Sequence, residues 1–291
     1  MDLLRTNSIK VVGRLKSQDL KVGNRKDNGA GYISGNAIII SNLDGRDCEF
    51  EISFYAAQKT KEGKDSQLFT SYSKMGELVG KKIEVTGDIR ESRFFSKNAD
   101  QMVSSQKLNG RFVRGVAEST PDEASFEFGG FVVETLKEKT NKDGDIYRYD
   151  LTLGQSNFSG TGMSRFVFHV RPEDIEIVKG VQSYGIGQTV GINGDLRFIV
   201  SVVTSERPNE GGFGEAVTRT FVNKQHNFFI MGGTAPITSV EKGMYPGDVI
   251  KSLVASYKAR DVELMASAKD SGSNAPAEKE TIVTNRQTSL I

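Results

Sequence analysis

Apolar and polar residues alternate along several short stretches of this chain. Residues 50–54 read Phe-Glu-Ile-Ser-Phe and residues 166–170 read Phe-Val-Phe-His-Val, with an apolar residue at every second position. A period of two places alternate side chains on opposite faces of an extended strand. The pattern predicts half-buried β-strands at both places. Similar stretches predict further strands at 9–15, 32–40, 126–133 and 146–153.

Three other stretches carry apolar residues at helical spacing. Residues 66–79 form the first, and a shorter one follows Pro172, a residue type that suits the first turn of a helix. The third follows Asp248, which we interpret as the N-cap of a helix of roughly two to five turns that runs towards Lys269.

One sequence pattern occurs twice in the chain. Residues 79–90 and 186–197 both read apolar-Gly-x-x-apolar-x-apolar-x-Gly-Asp-apolar-Arg, with identical spacing. The elements upstream also agree, because each copy follows three predicted strands and a short helix. A fifth strand is predicted at 111–116 in the first unit and at 227–231 in the second. The chain therefore contains an internal repeat of one folding unit.

The order strand, strand, strand, short helix, strand, strand is that of an OB fold, a five-stranded Greek-key barrel. The predicted fold is mainly β, with two tandem OB-like five-stranded Greek-key barrels, short helices and a C-terminal helix. We place the first OB-like domain at 1–118 and the second at 119–240. A C-terminal helical segment at 241–269 and a disordered tail at 270–291 follow, because the tail is rich in Ser, Gly, Asn, Ala, Pro and Glu.

The segment from Met75 to Arg90 resembles that of bacterial and phage single-stranded-DNA-binding proteins, in which a helix end and a glycine precede a strand of the type Val-x-Val-x-Gly-x-Leu-Arg. Two units in one chain resemble the phage-type versions. The resemblance implies binding of single-stranded DNA without sequence preference, in phage DNA replication or recombination, with replication or recombination proteins as possible partners. The chain departs from such proteins in having no Trp and no acidic end.

Charge is distributed unevenly along a chain whose net charge is only +1. Residues 1–116 hold 20 Lys and Arg against 14 Asp and Glu, whereas residues 117–203 hold 8 against 13. This asymmetry favours a polyanion-facing side on the first unit. The single cysteine, Cys48, excludes an internal disulfide and fits a reducing cytoplasm, that of the host cell for a phage-encoded protein. No apolar run is long enough for a membrane helix, so no membrane partner is expected.

Binding of single strands without sequence preference needs cations along the phosphates and flat side chains under the bases. In an OB fold these lie on the second and third strands and on the flanking loops. Tyr55 is out of phase with its apolar neighbours and should face away from the core, and one of the adjacent Phe94 and Phe95 should be exposed. The predicted nucleic-acid-binding residues are Lys21, Arg25, Lys26, Tyr32, Tyr55, Lys59, Lys61, Lys64, Arg93, Phe94, Phe95, Lys97, Tyr147 and Arg148.

Motifs for catalysis are not evident in the sequence. Neither His169 nor His226 has a nearby His, Asp or Cys at metal-ligand spacing, and no phosphate loop or nucleophile elbow is present. We therefore expect a protein that is not an enzyme and needs no cofactor.

Two alternatives to single-stranded DNA binding remain open. The first is a phage structural or assembly protein that uses OB-like barrels as interaction modules, which the acidic second unit favours. The second is a DNA mimic, which the mixed charge disfavours. The second unit is expected to bind less nucleic acid, and it or the C-terminal helix offers a surface for self-association. The Gly-rich segment 209–214 is a candidate loop over a bound strand.

Overall fold

The computed structural model describes residues 3–60, 62–97, 100–207 and 217–270, with side chains described outside 199–207, 217–225 and 269–270. The first unit holds β1 (Asn7–Gln18), β2 (Lys21–Asn24), β3 (Gly31–Leu43), β4 (Arg46–Ala57), α1 (Gln67–Ser73), β5 (Lys82–Ser96) and β6 (Gln101–Gly115). The second holds β7 (Glu123–Thr140), β8 (Ile146–Ser156), β9 (Met163–Val170), α2 (Ile175–Gln182), β10 (Thr189–Arg207) and β11 (Val217–Gly233), followed by α3 (Gly247–Asp270).

Strand pairing arranges each unit as a ring. In the first unit β1 pairs with β3 and β5, β3 with β4, β4 in parallel with β6, and β6 with β5. The second unit repeats these pairings with β7, β8, β9, β11 and β10. The prediction of a mainly β fold with OB-like barrels is thereby confirmed. The domain boundaries at 118, 240 and 269 stay a prediction. Strand β1 also pairs with β7, and this pairing joins the two rings.

The repeated glycines have the same backbone role in both units. Gly80 and Gly187 both have φ of +81°, a left-handed conformation that favours glycine. Gly87 and Gly194 both lie at a β-bulge, where a Cβ would stand 1.9 Å from a carbonyl oxygen of the partner strand. The glycines at these two pairs of positions therefore have the same local backbone geometry.

Apolar side chains at alternate positions fill the two barrels. Phe50, Ile52 and Phe54 of β4 are fully buried, and their counterparts on β9 include Phe166 and Phe168. In the second barrel five phenylalanine rings pack with centroids 4.8–6.0 Å apart, in stacked, tilted and edge-to-face arrangements; they are Phe126, Phe128, Phe166, Phe168 and Phe228.

The helices differ in their limits from the predicted ones. After Pro172 the chain first forms a turn, in which the Asp174 N–H donates to the Arg171 carbonyl, so α2 begins only at Ile175. The C-terminal helix begins at Gly247, so Asp248 lies in its first turn and is not the N-cap. Its 24 residues make between six and seven turns, more than predicted. Leu253 and Tyr257 of α3 pack on the second barrel, in a cluster with Phe131, Met163 and Tyr245.

Each unit extends its last hairpin over the other unit. Gln106 on β6 makes two side-chain hydrogen bonds, 2.7 and 3.1 Å, to the backbone of Val167 on β9. In the opposite direction, Arg197 on β10 pairs at 2.7 Å with Asp44 in the turn between β3 and β4. None of the helices in the described ranges is both long and apolar enough to span a membrane.

His226 on β11 lies in this contact between the units. Its ring stacks with that of Phe50 (centroids 6.3 Å apart) and lies 5.2 Å from that of Phe198. Its buried Nε2 has no hydrogen-bond partner among the described residues. Burial lowers the pKa of His226 from 6.5 to about 4.

This histidine gives a testable pH dependence. Between pH 6.5 and about 4, His226 is protonated in the unfolded chain but stays neutral in the folded chain. The free energy of unfolding therefore falls as the pH falls through this window. We expect the His226 contribution to lower the free energy of unfolding by about 2 kcal/mol between pH 7 and pH 5. Urea unfolding of the wild type and His226→Gln at both pH values measures it. An equal loss in both proteins would contradict the burial of a neutral imidazole.

Candidate nucleic-acid interface

Strands β2, β3, β4, β6 and β5 share one outer face on the first barrel. Lys21 lies opposite Ser34, and Ser34 lies opposite Tyr55, so these three side chains form one row across β2, β3 and β4. On the other side of β4, the parallel register that pairs Phe54 with Gly110 places Arg111 beside Tyr55. We call this surface the platform and define it by Lys21, Arg25, Tyr32, Tyr55, Arg90 and Arg111.

Two tyrosine rings lie side by side on the platform. The rings of Tyr32 and Tyr55 are stacked, with centroids 5.9 Å apart and planes inclined by 26°. Tyr32 lies opposite Gly23, where a Cβ would stand 2.9 Å from the ring, so the absence of a side chain on β2 makes room for it. Tyr55 is 44% exposed. The pair offers unpaired bases a flat, part-apolar surface.

Arg25 covers one side of this aromatic pair. Its Nε donates a hydrogen bond of 3.2 Å to the Tyr55 hydroxyl, which a second guanidinium nitrogen also approaches. The guanidinium carbon lies 5.9 Å from the centroid of the ring, within range of a cation–π contact. Arg25 is exposed, so its remaining N–H groups can donate to a phosphate.

Two further arginines flank the pair on the side of β5 and β6. The side chains of Arg90 and Arg111 are 61% and 60% exposed, and both bond to Asp88, whose side chain is 6% exposed. The Tyr72 hydroxyl of α1 donates to the carbonyl of Arg111 at 2.7 Å and so holds the β6 backbone at this point. The platform thus combines one exposed and one half-buried ring with guanidinium groups on both sides.

Comparison with a family model decides the relationship of the chain. The model described as YorF matches residues 5–264. The chain belongs to the YorF family. No curated protein matches it in sequence.

Solved structures resemble this YorF-family chain only distantly. A deletion mutant of the single-stranded DNA binding protein from Thermus aquaticus has 12% identity and a TM-score of 0.48, with 84% of this chain and 98% of that chain covered. The wild-type protein from Thermus aquaticus has 11% identity and a TM-score of 0.49, with 81% and 95% covered. A replication protein A heterotrimer bound to ssDNA has 11% identity and a TM-score of 0.22, with 77% and 49% covered. Likenesses this distant do not tell what the YorF-family chain binds.

The structure brings only some of the predicted binding residues together. Lys21, Arg25, Tyr32 and Tyr55 lie on the platform, and Tyr55 faces away from the core as its phase predicts. Lys26 follows Arg25 in an exposed turn.

The predicted lysine run after β4 is engaged locally. Lys59 pairs with Asp65 at 2.7 Å and Lys64 pairs with Glu62 at 2.9 Å, so each cation has an acidic neighbour. Both pairs are exposed, and exposed pairs exchange partners at little cost. Lys61 lies outside the described residues, as does the Gly-rich segment 209–214.

The predicted residues on the β5–β6 hairpin lie away from the platform. Arg93 is five residues beyond Asp88, ~16 Å along an extended strand, and its side chain is only 13% exposed because it bonds to Asp261 of α3. Phe94 is 49% exposed and Phe95 is part-buried, so one of the two is exposed as predicted. Lys97 lies with Phe95 in a hollow beside Ala268 of α3. The structure therefore separates this group from the tyrosine pair.

The corresponding face of the second unit neutralises its own charges. Arg148 pairs with Asp150 at 2.9 Å, and Asp150 also bonds to His169 at 2.7 Å. Burial alone would raise the pKa of Asp150, but the hydrogen bond to His169 and the nearby cations outweigh it and hold the pKa below its usual value. Tyr147 is 53% exposed, with the Arg148 guanidinium 5.5 Å from its ring centroid. One exposed ring and one paired arginine make this a smaller site.

Arg90 and Arg111 are the platform residues that the sequence interpretation missed. Arg90 belongs to the repeated pattern, and its spacing of two from Asp88 places both on one strand face, which was a usable signal. Arg111 had no such signal, because its place beside Tyr55 depends on the parallel register of β4 and β6. The described residues contain no group of three or more His, Cys, Asp or Glu that could hold a metal ion.

Proposed function

We propose that this protein binds single-stranded DNA on the platform of its first barrel, without sequence preference. The observation that carries the proposal is the stacked pair of the half-buried Tyr32 and the exposed Tyr55 between guanidinium groups, Arg25 on one side and Arg111 on the other. Bases stack on such rings whatever their identity, and the cations accompany the phosphates.

The geometry favours a single strand over a duplex. Bases in a duplex stack on each other and expose only their edges in the grooves, so flat rings on a sheet have no surface to contact there. Unpaired bases present their full faces, and each stacking contact contributes about 1–3 kcal/mol. Single strands of this kind arise in DNA replication and recombination. A role in those processes for a phage, in the cytoplasm of its host, is part of the proposal.

The platform cations predict a measurable salt dependence. If three or four of Lys21, Arg25, Arg90 and Arg111 each neutralise one phosphate, log K should fall with log[salt] at a slope of about −2 to −3. We expect oligo-dT to bind ~20- to 50-fold more weakly at 200 mM than at 50 mM salt. Fluorescence titration of a labelled oligo-dT at several salt concentrations measures both values.

The variant Lys21→Gln tests the number of platform cations that neutralise phosphates. It removes one exposed cation without changing a ring, so the slope should become less steep by about 0.7. Absence of binding at 50 mM salt, or binding that ignores salt, would refute the proposal and favour the assembly-protein alternative. A matched oligo-U titration reports the preference between DNA and RNA.

A further inference from the structure

The repeated Gly-Asp-apolar-Arg pattern has a backbone role through its glycine, but its aspartate has none. Asp88 and Asp195 occupy the same position, one residue after the bulge glycines Gly87 and Gly194. Asp88 is 4% exposed although it lies on the outer face of the barrel, where a carboxylate could reach water. The contacts of Asp88 show what covers it.

Two arginines cover the Asp88 carboxylate, one at each oxygen. Arg90 Nε lies 3.1 Å from Oδ1, while Nε and Nη2 of Arg111 lie 2.7 and 2.6 Å from Oδ2. These bonds use one edge of each guanidinium group, and the rest of both side chains is exposed. A planar guanidinium with one edge fixed presents its remaining N–H groups in a defined direction, which suits a phosphate.

The same pattern has a different use in the second unit. Arg197 bonds there to Asp195 at 3.2 Å and to Asp44 of the first unit at 2.7 Å. Arg111 follows Gly110, the residue that pairs with Gly87. The corresponding residue in the second unit is Met231, which follows Ile230, the partner of Gly194. Asp195 therefore helps to join the units and orients no pair of exposed arginines.

We propose that Asp88 is a positioning residue for nucleic-acid binding, which orients Arg90 and Arg111 towards neighbouring phosphates of a bound strand. This inference rests on the proposed function. Long arginine side chains lose rotamer freedom when they bind a phosphate, and a partner that fixes them beforehand reduces that loss. The inference gives Asp88, an acidic residue, a favourable effect on the binding of a polyanion.

The direction in which Asp88→Asn changes oligo-dT affinity distinguishes positioning of the arginines from a purely electrostatic effect of the carboxylate. Removing a negative charge from a phosphate-binding face should tighten binding if only long-range electrostatics matter. We expect the opposite, oligo-dT binding weakened by about tenfold at 50 mM salt, because both guanidinium groups lose their fixed orientation. Glu51→Gln is the matched control, since Glu51 is an exposed acid on β4. It should leave binding unchanged or slightly tighter, and Asp195→Asn should leave it unchanged.

A second variant covers the case in which Asp88→Asn does not fold. Arg111→Lys keeps the charge at an exposed position but loses the two-nitrogen contact to Asp88. Positioning predicts weaker binding for this variant, whereas a charge-only account predicts no change. Adding Asp88→Asn to the Arg90→Gln, Arg111→Gln double variant should have no further effect.

The outcomes distinguish this inference from the proposed function. If the wild type does not bind oligo-dT, the proposed function fails. Suppose instead that the wild type binds and that Arg90→Gln or Arg111→Gln weakens binding. If Asp88→Asn and Arg111→Lys then bind as tightly as the wild type, positioning by Asp88 is wrong, while binding on the platform is supported.

Discussion

Replacing both Tyr32 and Tyr55 by alanine is expected to weaken oligo-dT binding by at least ~30-fold. Each ring that stacks on a base contributes about 1–3 kcal/mol, so removal of two costs at least about 2 kcal/mol. Tyr55→Ala alone should account for about half of the loss in free energy, and it also removes the hydroxyl that holds Arg25. Fluorescence titration at 50 mM salt measures the change. The salt slope should change little, because no cation is removed.

Two control variants show whether the ring itself is responsible. Tyr55→Phe keeps the ring and loses only the hydrogen bond from Arg25, so most of the affinity should remain. Phe158→Ala removes a ring that is 97% exposed in the turn between β8 and β9, away from the platform, and should leave binding unchanged. Binding that survives the double alanine variant but not Phe158→Ala would place the interface on the second unit.

Much of the fold follows from short-range patterns in the sequence. Alternation at 50–54 and 166–170 predicts strands with the correct inner faces, because the period of two is a local property of extended chain. The repeated glycines mark equivalent backbone positions, and they predict that the two units fold alike. The start of α2 is wrong by three residues, since Pro172 is compatible with a turn as well as with a first helical turn.

The candidate site depends partly on contacts that no local pattern reveals. The phase of Tyr55 was sufficient to place it on the outer face. Arg111 required the register of two strands that are distant in sequence, and Arg93 required the position of α3, which begins more than 150 residues later. Lys59 and Lys64 were predicted to bind nucleic acid from their charge alone, and the structure adds that acidic residues a few positions away pair with them.

Arg93 is the centre of a cluster that attaches the β5–β6 hairpin to α3. Its Nε and Nη2 lie 2.6 Å from the two carboxylate oxygens of Asp261, a bidentate pair. Its guanidinium carbon lies 4.3 Å from the ring centroid of Tyr257, whose hydroxyl donates to Glu91 at 2.5 Å. The Glu91 side chain is only 3% exposed. Burial and the hydrogen bond to Glu91 both raise the pKa of Tyr257, so its hydroxyl stays protonated as a donor.

This geometry predicts that Arg93 stabilises the fold and does not bind nucleic acid. Arg93→Met would leave the carboxylates of Glu91 and Asp261 in a shielded place without their cation, at a cost of about 3 kcal/mol in the free energy of unfolding. Urea unfolding measures this loss. Arg93→Lys keeps the charge without the bidentate geometry and should lose less. Arg114→Met is the control, because Arg114 pairs with Glu84 at 2.8 Å but is 71% exposed, so it should lower the free energy of unfolding much less than Arg93→Met does.

The affinity of the same variants for nucleic acid is a second test, in which no change is expected. At a temperature where Arg93→Lys is folded, oligo-dT affinity and salt slope should equal those of the wild type, because the guanidinium of Arg93 faces α3 and not the platform. A variant that keeps its stability but loses affinity would mean that Arg93 leaves Asp261 to bind a phosphate. The hairpin would then have to separate from α3 when a strand binds, and Asp261→Asn, which weakens that attachment, should tighten binding. If Arg93 instead stays bound to α3 when a strand binds, as we expect, Asp261→Asn should lower the stability of the protein and leave its affinity for oligo-dT unchanged.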